Sequence, residues 1–300
     1  MKKAFLLATL LFVAALVRIG MAAPVKTNDW PQVCSGVTIS GGTASCTLSF
    51  QSPAPIPGQL FIVEMWATDT SNNALSLNST GSGFTLLNAA AASTGCNTRA
   101  VIAWQAYSTS YSGGTLTVTV NGTNTDTVHF VGQVLEFGGY AASPIDVSSM
   151  GTSCSGAVPA NITPTVTHDT LLVWAFGDNT ANNMAMVQTD SATNPQHLRA
   201  FQGGYCNTAC GSFKSGGTAM YTDYNSVAAY SWAANITLGT GSGNITAGTI
   251  AIKAGNLGVV PGPASICSNG MVGKSYAPYT IGQFCKQRYG LETFSELIPV

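Results

Sequence analysis

GGTLTVTVNG, residues 113–122, decides the fold class. Leu116, Val118 and Val120 alternate with Thr115, Thr117 and Thr119. A period of two marks a strand with one face on a core and the other in water. Gly113-Gly114 and Asn121-Gly122 are turn signals that close the strand at both ends. The same punctuation recurs outward along the chain. SGVTIS and TASCTLSF flank Gly41-Gly42 and read as a hairpin, and further strands are predicted at 59–67, 99–107, 127–137, 170–177, 217–222, 226–237 and 246–253. The body offers no amphipathic helix. About a dozen short strands joined by Ser-, Gly- and Asn-rich loops predict an all-β sandwich or barrel.

The N-terminal end has a different character. Lys2 and Lys3 precede an apolar run from Ala4 to Val17, and Gly20-Met21-Ala22 supplies the small residues that a signal peptidase reads. Residues 1–22 therefore read as a secretory signal, cleaved after Ala22. An uncleaved anchor is the rival reading, but the run is short for a span and Arg18 interrupts it. No later stretch is long and apolar enough to span a bilayer as a helix.

Loss of the leader takes the basic residues from 11 to 8 against 12 acids, and the formal charge from −1 to −4. A mildly acidic chain without basic clusters argues against nucleic acid or anionic membranes as partners. Only 8% of the residues are charged, against about a quarter in ordinary domains. Hydroxyls and amides must carry solubility, as on extracellular β-proteins. The expected location is secreted, extracellular or at the cell surface, with the periplasm as the alternative.

All eight cysteines follow the leader, and an even count in an exported chain reads as disulfides. Cys34 and Cys46 flank the ISGGTAS turn and are placed to staple a hairpin; Cys267 and Cys285 are placed to close the C-terminal segment. Cys96, Cys154, Cys206 and Cys210 have no assignable partners. Cys206 and Cys210 lack the second ligand pair that a zinc site needs, so neither metal nor cofactor is expected.

Residues 23–254 read as one β-domain, 255–265 as a Gly/Pro-rich connector, and 266–300 as a disulfide-clipped tail with one short helix near 281–289. At a spacing of about 110 residues, VEMWATDTSNN (63–73) is echoed by VWAFGDNTANN (173–183), and Cys-Asn-Thr at Cys96 by Cys-Asn-Thr at Cys206. Duplication and chance in a low-complexity composition both account for the echo.

The segments GQLFIVEMWATDTSNN, GGTLTVTVNG, VGQVLEFGGYAASPID, DTLLVWAFGD and GTIAIKAG resemble, in order and pattern, jelly-roll modules of the concanavalin-A-like lectin/glucanase type. Such modules recur in secreted bacterial and phage-tail proteins. The resemblance covers about 33–254 and implies a jelly-roll sandwich of two stacked antiparallel sheets, with carbohydrate binding or adhesion as the function. The Glu-x-Asp-x-x-Glu strand of the glucanases is absent, so the resemblance does not carry hydrolysis.

Two acids sit inside apolar strands: Glu64 in LFIVEMW (60–66) and Glu136 in VGQVLEF (131–137). A buried carboxylate needs a partner, water or a ligand. Ile62, Glu64 and Trp66 share one strand face, and an acid beside an indole suits a sugar-binding surface. Glu136 shares its face with Gly132, whose missing side chain is expected to leave space for a ligand. Trp174 and Asp178 alternate together on a third strand.

The expected ligand site is thus Glu64, Trp66, Glu136, Trp174 and Asp178, and the expected partner is a glycan or cell-surface polysaccharide. In the plainer alternative, Glu64 marks the wetter face of its sheet, the two acids pair with Arg99, Lys214 or strand hydroxyls, and the indoles are core. A glycosidase would use Glu64 and Glu136 as its acid and nucleophile or base, which requires carboxyls about 5 Å or roughly 6.5–9.5 Å apart. A structural surface or appendage subunit, prone to self-association, is the third alternative. Gly-x-Ser-x-Gly, His-Glu-x-x-His and phosphate-loop signatures are all absent, and His129, His168 and His197 are dispersed.

Overall fold

The computed structural model describes residues 21–50, 53–69, 74–92, 100–123, 125–153, 157–178, 184–190, 198–201, 213–224, 227–230, 232–238, 244–256, 275–276 and 279–280. The chain is all-β and antiparallel throughout. A two-residue strand, Met21–Ala22 (β1), precedes two runs of eight. The first run is Val25–Thr38 (β2), Thr43–Ser49 (β3), Leu60–Asp69 (β4), Ser76–Ser79 (β5), Thr85–Ala92 (β6), Val101–Ser108 (β7), Thr115–Asn121 (β8) and Thr127–Gly138 (β9). The second is Tyr140–Ser153 (β10), Ala157–Pro159 (β11), Asp169–Asp178 (β12), Met184–Asp190 (β13), Leu198–Phe201 (β14), Phe213–Tyr224 (β15), Trp232–Leu238 (β16) and Ile245–Asn256 (β17).

The two runs repeat one topology. In the first, a wide sheet β2-β9-β4-β7-β6 faces a narrow sheet β3-β8-β5; in the second, β10-β17-β12-β15-β14 faces β11-β16-β13. Counted within each unit, the wide order is 1-8-3-6-5 and the narrow order 2-7-4. The internal echo of the sequence falls on the third strand of each unit, β4 and β12. The expectation of two stacked sheets thus describes each half, and the two halves together have four.

Period-two alternation explains how the layers stack. On β4, Phe61, Val63, Met65 and Ala67 meet Cys46, Leu48, Leu116, Val118 and Val120 of the narrow sheet. Leu60, Ile62 and Trp66, on the opposite face, meet the second unit's wide sheet through Leu172, Ile250, Ile252, Trp174 and Phe176. A second core, built on Leu171, Val173, Ala175, Ile245 and Ala247, fills the other sandwich. The layer order is therefore narrow, wide, wide, narrow. A strand buried on both faces reads as an unbroken apolar run, which is why LFIVEMWA lacks alternation.

The predicted hairpin at Gly41-Gly42 is a corner instead. Both glycines have positive φ, 60° and 82°, which turns the chain tightly. Only Ser40 and Thr43 bridge there; β2 then pairs with β9 in the wide sheet and β3 with β8 in the narrow one. The strands part because each sheet needs one of them to cover the shared core. The Cys34–Cys46 disulfide is present and clips the two layers together rather than stapling a ladder.

In the tail, Ser275–Tyr276 (β18) pairs with Tyr279–Thr280 (β19). The Cys267–Cys285 pair, the helix near 281–289, most of the connector and the four unassigned cysteines lie outside the described residues. Among the described residues no helix is long and apolar enough to cross a membrane.

Replacing Cys34 and Cys46 together by Ser removes the covalent tie between layers. The expected loss is about 2–4 kcal/mol, read as a lower midpoint in chemical denaturation, with the wild-type protein under reductant shifting likewise.

Candidate functional site

The predicted site residues separate in the structure. Cross-strand partners point to the same side of a sheet. Glu136 is paired with Phe61, which faces the narrow sheet, whereas Glu64 is paired with Gln133 and Gln105 on the face towards the second unit. The two carboxylates thus occupy opposite faces of one sheet. No glycosidic bond can lie between them, and the acid–nucleophile pair is not assembled. Both are 0% exposed, which corrects the reading of a wet sheet face. The reason is the duplication: the face that a lone sandwich would leave in water is covered by the second wide sheet.

Glu64 belongs to a polar row. Gln133, Glu64, Gln105 and Asn88 are successive register partners across β9, β4, β7 and β6. Gln133 Nε2 donates to Glu64 Oε2 at 2.6 Å, and Gln105 Nε2 donates to Asn88 Oδ1 at 2.6 Å. From the facing sheet, Trp174 Nε1 donates to Gln105 Oε1 at 2.9 Å. Trp174 is the positional counterpart of Glu64 in the second unit, by the echo VEMW/VWAF. Its β17 partner is Gly248, where an added Cβ would stand 2.2 Å from the indole nitrogen. Gly248 makes the room in which the indole turns towards Gln105.

Trp66 packs with Val101, Ala103, Val131, Trp174 and Phe176 in the same layer. It is core, with no stacking face for a sugar. Gly132 leaves no ligand space either: a Cβ there would meet the Glu64 carbonyl at 2.2 Å and Met65 Sδ at 2.4 Å. Asp178 ends β12 opposite Phe213 and lies at the far end of the strand from Asp169.

Glu136 holds a loop. It accepts from Thr27 Oγ1 at 2.7 Å, from Asn28 Nδ2, and from the Ile56 amide at 2.5 Å. The segment entering β4 is thereby tied to the wide sheet. The second unit repeats the device with another residue, because Asp146 of β10 accepts from the Thr165 amide at 2.5 Å and from Thr165 Oγ1. Thr165 precedes β12 as Ile56 precedes β4.

Beside Asp146 lies Asp169, at the start of β12 and 0% exposed. Burial, then the Asp146 carboxyl, push it up to about 7; Lys253 and the Ala254 amide pull the other way. The Ala254 amide and the Asp146 carboxyl are its polar neighbours, and neither meets an Asp169 oxygen in full hydrogen-bond geometry. Sequence reading passed over this pair because the two acids are 23 positions apart and meet only when β10 and β12 flank β17.

One open groove of about 550 Å³ lies between the edge strands β5 and β6. Leu75, Leu77, Leu86 and Ile102 form its apolar lining, with Asn78 and Thr80 among its polar atoms. None of the five predicted site residues reaches it. An alternating LSLNST stretch was its only signal in the sequence.

Glu136→Ala is expected to cost about 2–4 kcal/mol, since it strands three donors aimed at one carboxylate. Glu64→Gln keeps an acceptor for Gln133 and is expected to stay within about 1 kcal/mol of wild type. Urea denaturation of the two variants side by side separates a loop anchor from an interface rung. Neither a family model nor a curated protein sequence matches this chain.

Proposed function

We propose that the protein is a non-catalytic structural module of a secreted or cell-surface assembly, each half being a jelly roll. The strand orders 1-8-3-6-5 and 2-7-4 support the jelly-roll reading, with the fifth strand carried on the wide sheet. One observation carries the function: Glu64, Trp66, Glu136 and Trp174, the groups suited to a ligand, are all buried, Glu64, Trp66 and Trp174 between the wide sheets and Glu136 against the loop entering β4. The outer face of the first unit's narrow sheet carries paired hydroxyls and amides. On the narrow sheet, Ser45 bonds Thr119 at 2.9 Å, Thr47 bonds Thr117 at 3.2 Å, and Asn78 bonds Asn121 at 2.7 Å. Such cross-strand pairs stiffen a face without leaving chemistry on it. The edge strand β6, TLLNAAAA, carries neither charge nor proline, the devices that normally block edge-to-edge pairing. The disulfide suits an oxidising compartment.

A second reading, glycan binding, is favoured by the β5–β6 groove alone, whose apolar floor and amide rim match a sugar's two kinds of surface. Sedimentation of the processed protein together with a glycan array decides between them. Concentration-dependent association, weakened by Ala90→Lys on β6, with silence on the array supports the structural module. A monomer that binds sugars and loses them in Leu86→Asp supports the groove. Product release from polysaccharides would overturn both.

A further inference from the structure

We propose that cleavage after Ala22 creates a buried ion pair between the new α-ammonium of Ala23 and the Asp169–Asp146 carboxyls, locking the second unit only in the processed chain. The inference rests on the export reading and on no ligand.

The geometry comes from the end of β17. Thr170 of β12 is the register partner of Ile252, and Ala22 of β1 is the partner of Gly255. The two contacts lie three residues apart on β17, and the chain leaving β1 heads towards the start of β12. Pro24 arrives there: its carbonyl accepts from Thr170 Oγ1 at 2.6 Å. Ala23, 8% exposed, lies between these two fixed points. Continuing the register of β1 sets Ala23 beside Ala254, whose amide acts on Asp169.

The carboxylate waiting there is short of donors. Asp169 is fully buried, its polar neighbours are the Ala254 amide and the Asp146 carboxyl, and Asp146 opposes its ionisation. Asp146 is already engaged by Thr165. The other charged group acting on Asp169 is Lys253 of β17, which stands outside ion-pair distance among the described residues. His168 adjoins Asp169 in sequence, and its amide is spent on the Tyr224 carbonyl. Among the described residues neither acid has an ion-pair partner, and a cation placed between them would relieve their mutual repulsion. Hydrolysis of the Ala22–Ala23 peptide bond supplies one, because water adds across the amide and leaves an amine that is protonated near neutral pH. In the unprocessed chain the same nitrogen is an uncharged amide.

The sign of the pH effect follows. With an uncharged nitrogen at position 23, the folded chain holds the Asp169 proton more tightly than the unfolded chain does. That stabilisation is full below the ordinary carboxylate range and is lost as pH rises towards 7. With an ammonium at Ala23, Asp169 is held ionised and the loss disappears.

Four proteins test this: the chain beginning at Ala23, the same chain with a Ser-Gly extension, and the Asp169→Asn variant of each. Thermal midpoints are read from pH 4 to pH 8, and the α-amine is challenged with an acylating reagent. The expected result is a midpoint higher by roughly 2–4 °C at pH 7 for the free Ala23 end, abolished by Asp169→Asn, with the amine protected until unfolding. Equal midpoints for the first two chains across the range, or an amine that reacts as an exposed one, would overturn the proposal. So would an exported protein whose first residue is not Ala23. Assembly and sugar binding enter none of these readouts, so the proposed function and this inference fail separately.

Discussion

The layer between the two wide sheets constrains everything else in the molecule. A five-stranded sheet with apolar side chains on both faces is insoluble alone; it must be covered twice. The narrow sheet covers one face and the second unit covers the other. This requirement explains why a strand such as β4 is buried from end to end, why the halves need no linker, and why so few charges suffice. The polar row Gln133–Glu64–Gln105–Asn88 then fixes how the layers register, because Trp174 has one acceptor to find. Apolar contact alone tolerates sliding; a buried donor that must reach Gln105 does not.

The same logic assigns the acids. Glu64, Glu136, Asp146 and Asp169 are all placed where two pieces of chain meet: between units, at the loop entering β4, at the loop entering β12, and at the point where β1 gives way to β12. In a protein with 12 acids, these four work as joints. An acid inside a strand is a strong sign that something must be held, and here the thing held is the protein's own backbone.

Much of the fold was legible. The strands predicted at 59–67 and 127–137 match β4 and β9 to within two residues, because apolar runs bounded by glycine leave little freedom. Two features hid. β10 contains Pro144 and two register shifts, so its SPID stretch resembles a loop in sequence. The corner at Gly41-Gly42 resembles a hairpin because turn residues report a reversal without reporting which sheet each arm joins. The candidate site was less legible, for a definite reason. Alternation tells which residues share a face, and it grouped Ile62 with Glu64 and Trp66 correctly. It says nothing of what lies against that face. A second copy of the same sandwich was the answer, and only the VEMW/VWAF echo hinted at it.

The two units are topological twins with unlike contact surfaces: a carboxylate in one stands where an indole stands in the other. The indole of the second unit finds its acceptor, Gln105, in the first unit. Cognate pairing is therefore heterotypic by chemistry.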